Sequence, residues 1–307
     1  MPRAIILYEI DPSFGPNIIA EYYLKKEDKL SPTILKQFSE KHDKKQLLDI
    51  TIREGDNRYF SKKISSDSLE KQNLYLSFIL QEEEDLVSVK SIFNNVEETV
   101  IQNYTNDKSK MTQILNNAIT SILSLMEKLQ EPKIIKETIN DRTKKMLDDG
   151  KLSEARELID LGEEIPEKLA AEVKIAEDLL NKEFYRKAKK SFLKAAELAE
   201  IIQEEEIATF LSNKGEQVGF FPDLIKEREN LYKELEKVAT NLEVNQLQIY
   251  DKFVEPIEKL IEISLTFEEH ELVDLLIKLK NNTQRASKLA IELNNIDENI
   301  RDLLKKI

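Results

Sequence analysis

The sequence predicts an α+β chain: an N-terminal antiparallel sheet with flanking helices, then an all-α region of helical hairpins and a long antiparallel coiled coil. Three observations predict it. Short runs of β-branched and aromatic residues, punctuated by Gly and Pro, fill the chain to about Tyr104. That part holds four of the eight prolines and eleven of the 21 aromatic residues. Beyond it the chain turns Leu-, Glu-, Lys- and Ala-rich, with long stretches free of Gly and Pro, and apolar residues from Leu224 onward keep a seven-residue repeat.

The elements follow in order. Arg3 to Ile10 is a short apolar run, and Pro12, Gly15 and Pro16 end it in a loop. Asn17 to Leu24 resumes as a second strand. Ser31-Pro32 supplies an N-cap hydroxyl and a proline at the first helical position, opening a helix to about His42. Leu48 to Arg53 alternates apolar and polar side chains, the period of a half-buried strand. Gly55-Asp56-Asn57 is a tight turn, and Arg58 to Ile64 returns as the hairpin partner. Asn73 to Gln81 places Leu74, Leu76, Phe78 and Leu80 on one face, with Tyr75 and Ile79 on the other. A helix from Asp85 to about Tyr104 carries its apolar stripe through Ile92, Phe93 and Val96. Tyr104 to Asp107 is a loop, and Met111 to Leu129 a further helix.

Strand, strand, helix, strand, strand, strand, helix, with one more helix after it, resembles the longin and roadblock group of small α/β domains. The strand Ala4 to Tyr8, the hairpin around Gly55 and the amphipathic helix after Leu80 carry the resemblance. It implies a non-enzymatic platform that pairs with another longin or roadblock domain, or docks a small GTPase and trafficking partners. Further on, the stretch from Leu147 to Ala155 aligns with that from Leu180 to Ala188, a spacing close to the roughly 34-residue tetratricopeptide period. Ala176, Leu179, Tyr185, Ala188, Phe192 and Ala195 resemble that family's packing positions. The first copy lacks the aromatics and no proline closes the second, so a tetratricopeptide-like hairpin and a generic helical bundle both stay open. The expected domains are 1–130, 131–221 and 222–307.

The last stretch reads as a hairpin of two helices of about 40 residues, each reaching roughly 60 Å. One seam runs through Leu224, Leu231, Leu235, Val238 and Leu242, and after a phase slip through Val254, Ile257 and Ile261. The other runs through Leu272, Leu276, Leu279, Thr283, Ala286, Ala290, Leu293, Ile300, Leu304 and Ile307, with Asp297 as the exception and Thr266 to His270 as the bend.

Composition excludes several chemistries. Cysteine is absent, which removes disulfides, thiolate metal sites and Cys nucleophiles. The two histidines, His42 and His270, lie far apart in sequence. A formal net charge of -13 argues against a nucleic-acid footprint. No apolar run approaches the roughly 20 residues of a membrane span, and the N-terminus reads as a strand, so a cytoplasmic protein is expected.

The remaining motifs are weak. Gly150-Lys151-Leu152-Ser153 has the Gly-Lys pair of a phosphate loop, but Lys145 stands at the upstream glycine position and Leu152 replaces the magnesium-binding hydroxyl. His270-Glu271 begins like a zinc-protease helix, yet Asp274 stands where the second histidine belongs. His42 reads as a surface residue, and Glu204 to Glu206 as solvated carboxylates. Glu82 to Asp85 is either a docking patch for a basic partner or a run that meets a helix N-terminus. No catalytic, cofactor or metal residue is expected.

Candidate partner-binding residues are Phe14, Ile92, Phe93, Val96, Phe220 and Phe221. Phe14 sits in the first loop. Phe220 and Phe221 are expected in a turn between helices, where one packs inward and the other either caps the bundle or anchors a partner. The expected function is a non-enzymatic interaction scaffold or adaptor that docks or regulates small GTPases in a trafficking-like system. The alternative is a ligand-sensing module with a dimerising coiled coil.

Overall fold

Period-two patterning in the first 81 residues builds one five-stranded antiparallel sheet, ordered β2-β1-β5-β4-β3. Its strands are β1 (Ala4–Asp11), β2 (Gly15–Tyr23), β3 (Asp49–Glu54), β4 (Asn57–Lys63) and β5 (Leu74–Gln81). The computed structural model describes residues 2–25, 28–45, 47–64, 73–81, 86–242 and 247–306. Helix α1 (Pro32–Ser39) lies between β2 and β3 in sequence, and its Ser31 hydroxyl accepts from the Ile34 amide at 3.2 Å, capping it as the Ser-Pro pair predicts. A π-helical turn, Glu40–Lys44, extends α1. After the sheet come α2 (Leu86–Gln102) and α3 (Lys108–Gln130), the latter capped by Asp107.

Both faces of the sheet are covered, and the register separates them. Leu7 pairs with Leu76 and Phe60 with Phe78, whereas Tyr8 pairs with Tyr75 and Ser61 with Ser77. Successive side chains alternate faces, so the first set forms one surface and the second the other. Phe60 and Phe78 each meet the edge of Phe93 on α2, at centroid distances of 5.7 and 5.8 Å. Tyr8 stacks on Phe38 of α1 at 5.9 Å. One face is therefore covered by α2 together with α3, while the other lies beneath α1.

Helices α4 (Pro132–Asp148), α5 (Leu152–Asn181), α6 (Tyr185–Ile201) and α7 (Glu205–Leu242) follow. Ala176, Ala188, Phe192 and Ala195 are fully buried where α5 meets α6. The small residues let the two helix backbones approach while Phe192 fills the gap. Buried apolar residues run without interruption from Ile5 and Phe78 through α3 and α4 to Val218, so the sheet and these helices share one core. Residues 1–221 form one compact unit and 222–307 another.

The second unit contains the end of α7, a 3-10 segment (Leu247–Phe253), α8 (Val254–Thr266) and α9 (His270–Leu304). The expected bend at Thr266 to His270 separates α8 from α9. The expected first arm is not one helix, however. The phase slip after Leu242 marks the end of α7, and the chain restarts through the 3-10 segment before α8.

Candidate interaction surfaces

Phe14 is held out by a built turn. One Asp11 carboxylate oxygen accepts from the Ser13 and Phe14 amides at 2.7 and 2.9 Å, closing the β1–β2 loop from within. Gly15 then takes φ +82°, which a side chain would resist. The Phe14 ring is left 92% exposed.

Ile92, Phe93 and Val96 are instead buried. Phe93 is wedged between Phe60 and Phe78, with the Lys62 ammonium 4.7 Å from its ring centre. A helix lying on a sheet turns its apolar stripe inward, so these residues do not form the free apolar surface that sequence suggests. Ile92 and Val96 nevertheless floor a groove of about 250 Å³. Ala118, Ile122 and Leu125 of α3 and Phe210 of α7 complete its apolar lining, and the exposed residues Asn95, Thr99, Asn117, Ser121 and Glu206 line it as well.

Phe220 and Phe221 lie inside α7, not in a turn. Pro222 also falls within that helix, whose path continues past it. Neighbours on a helix point about 100° apart, so one ring can be covered while the next is not. Phe221 is 9% exposed and meets Tyr185 edge-on at 5.3 Å, whereas Phe220 is 59% exposed.

The sheet face under α1 contains the largest departure from expectation. His42 is buried, not on the surface. Its Nδ1 lies 2.7 Å from the Leu47 carbonyl and its Nε2 3.0 Å from the Ser61 hydroxyl, which is 2.8 Å from the Tyr8 hydroxyl. A carbonyl can only accept, so Nδ1–H donates to Leu47, Nε2 accepts from Ser61, and Ser61 accepts from Tyr8. The Tyr75 ring, 4.3 Å from the imidazole, covers the chain of bonds. Burial pushes His42 down to about 4, and burial likewise holds the Tyr8 and Tyr75 phenols above their ordinary value. A Ser-His pair suggests a nucleophile, but Ser61 is fully buried and the imidazole is a poor base there. These residues complete a polar core. The sequence hint for it was Ser77, a hydroxyl set between Leu76 and Phe78 in an otherwise apolar run.

Two charged side chains, Glu204 and Lys214, are also buried and paired. Glu204, expected on a helix surface, is buried between Lys128 of α3, at 2.8 Å, and Arg142 of α4. Arg142 also donates to the carbonyls of Ile202 and Gln203, which follow the end of α6. Lys214 is 1% exposed and donates to Glu177 at 2.6 Å and Ser88 at 2.8 Å. It thereby links α7 to α5 and α2, with the Phe192 ring 5.0 Å away.

Gly150 takes φ +77° after α4, and Lys151 donates to the Met146 carbonyl at 2.8 Å, the geometry of a helix C-cap. His270 begins α9. Among the described residues, no group of three or more His, Asp or Glu side chains is placed to hold a metal ion. The acidic run Glu82 to Asp85 lies outside the described residues. Among the described residues, no helix is long and apolar enough to cross a membrane. Comparison with family models, with curated proteins and with solved structures finds no match for this chain.

Proposed function

We propose that this chain is a non-enzymatic protein-interaction adaptor whose longin-like head docks a small GTPase or a second longin or roadblock domain, in a cytoplasmic, trafficking-like setting. The observation that carries this reading is the groove between α2 and α3. Its apolar floor of Ile92, Val96, Ile122, Leu125 and Phe210, flanked by uncharged polar side chains and by the carboxylate-bearing Glu206, suits an apolar side chain projecting from a protein partner. Phe14, at the tip of a hairpin, offers a second apolar contact. The element order of the head, strand-strand-helix-strand-strand-strand-helix-helix, is the one on which the longin resemblance rests. The buried hydroxyl–imidazole chain contributes to stability in this reading and carries no reaction.

The test is affinity capture from native lysate with the full chain as bait, in parallel GDP and GTP-analogue buffers, with mass spectrometry of retained proteins. The reading predicts recovery of a small GTPase, in amounts that depend on the nucleotide. Recovery of neither a GTPase nor a longin or roadblock protein in either buffer contradicts it.

A further inference from the structure

Helix α9 carries two apolar stripes, and among the described residues of its unit only one of them is buried. The inner stripe is Val273, Leu276, Ile277, Thr283, Ser287 and Ala290, all buried. The Ser287 hydroxyl donates to Asp251 of the 3-10 segment at 2.5 Å, and Lys280 pairs with Glu258 of α8 at 2.8 Å. No buried residue of α9 lies beyond Ala290. The seam expected from sequence mixes this stripe with a second one.

The second stripe faces away from α8. It starts at the half-buried Leu272 and continues through Leu275 and Leu279, 60% and 40% exposed, to Asn282 and Ala286. It then passes through Leu289, Leu293, Ile296, Ile300 and Leu303, all exposed. Steps of three and four residues alternate without a break along this 35-residue helix, the spacing that keeps one seam facing a partner helix. Ile307 holds the same spacing in sequence but lies outside the described residues.

We propose that this outer stripe is the seam of an antiparallel coiled coil between two copies of the chain. The stripe is complementary to itself about a two-fold axis between Ala286 and Leu289. With Ala286 set against Leu289 of the second copy, Asn282 meets Leu293, Leu279 meets Ile296, Leu275 meets Ile300 and Leu272 meets Leu303. The small Ala286 then faces a Leu, which keeps the packing even at that layer, while Asn282, the one polar member, faces Leu293 at a cost in stability. The flanking charges agree. Glu271 comes beside Lys306 of the second copy and Arg285 beside Glu292, each contact occurring twice by symmetry. A parallel pairing would stack Ala286 on Ala286, leaving a hollow layer, and bring Glu292 towards Asp297. The two stripes together bury on the order of 1,400 Å², within the range of stable interfaces.

The chain has no cysteine, so introduced thiols report the geometry cleanly. Light scattering on the full chain is expected to give twice the 35.7 kDa monomer mass. The Ile296→Glu/Ile300→Glu variant, altered only beyond the last buried position of α9, is expected to keep its circular dichroism and melting temperature. Its dimer dissociation constant should rise by at least ~100-fold. Oxidising a mixture of Leu272→Cys and Leu303→Cys chains should join them, whereas Leu303→Cys alone should not self-join, its thiols lying about 46 Å apart in the antiparallel pair. A wild-type monomer up to roughly 100 μM, or a dimer unaffected by the double Glu variant, would overturn the proposal. Self-joining of Leu303→Cys would overturn the antiparallel arrangement.

Discussion

The two faces of the sheet use the same backbone alternation for opposite ends. Towards α2 the sheet presents carbon: Leu7, Leu76, Phe60 and Phe78 close on Phe93. Towards α1 it presents the Tyr8–Ser61–His42 chain, in which every polar group named has a partner. The first face gains stability from area and packing, which pH does not touch. The second ties stability to the protonation of one imidazole. Both faces are buried, so it is their chemistry that separates them.

The largest expected effect breaks the carbon face. Phe93→Ala removes the ring that Phe60 and Phe78 both meet and should cost about 3–5 kcal/mol of unfolding free energy, measured by urea titration at pH 7. A loss below 1 kcal/mol, on the order of a surface change, would show that the face is not packed as described.

Next is the pH dependence of the other face. His42 is held to about 4 in the folded chain against 6.5 for the free group, so the unfolded state binds the proton more readily. The contribution of His42 to stability is therefore full above pH 6.5 and is lost progressively as pH falls towards 4. The total is on the order of 3 kcal/mol. Urea titrations across that window should show this slope in the wild type and a clearly shallower one in His42→Gln, which is less stable at neutral pH. An equal slope in both would remove His42 as the cause.

The smallest effect lies off the sheet and serves as a control for both faces. Glu183, between α5 and α6, adopts φ +60°, a conformation glycine takes without strain. Glu183→Gly should raise the melting temperature by about 1–2 °C, corresponding to about 0.5–1 kcal/mol, without altering the pH slope. A fall in melting temperature would contradict the strain.

What was legible in sequence follows from these differences. The strands were readable because alternation is a local signal: Leu74 to Leu80 on one face and Tyr75 with Ile79 on the other agree with the register. The cap at Ser31-Pro32 was local too. His42 was not readable, because its partners are Leu47 in the loop before β3 and Ser61 on β4, and a polar neighbourhood in sequence says nothing of either. Glu204 was hidden for the same reason, its cations coming from α3 and α4. Pro222 after two phenylalanines signalled a turn, yet α7 passes through it. The stripe through Ile92, Phe93 and Val96 was visible, but amphipathicity does not say whether a sheet of the same chain or a partner covers it. On α9 the heptad was visible and its doubling was not, since two stripes on one helix share the same period.

The reading of the head as a docking module rests on the groove that α2 and α3 leave beside the carbon face. Ser121→Arg puts a long cation at the groove from an exposed helix position, where it should leave the melting temperature within a degree or so of wild type. Retention of a small GTPase, or of a longin or roadblock partner, by the wild-type chain and by this variant can then be compared directly. The account predicts at least a tenfold drop in retention per folded molecule, corresponding to about 1.4 kcal/mol or more. Equal retention by the two proteins would contradict it.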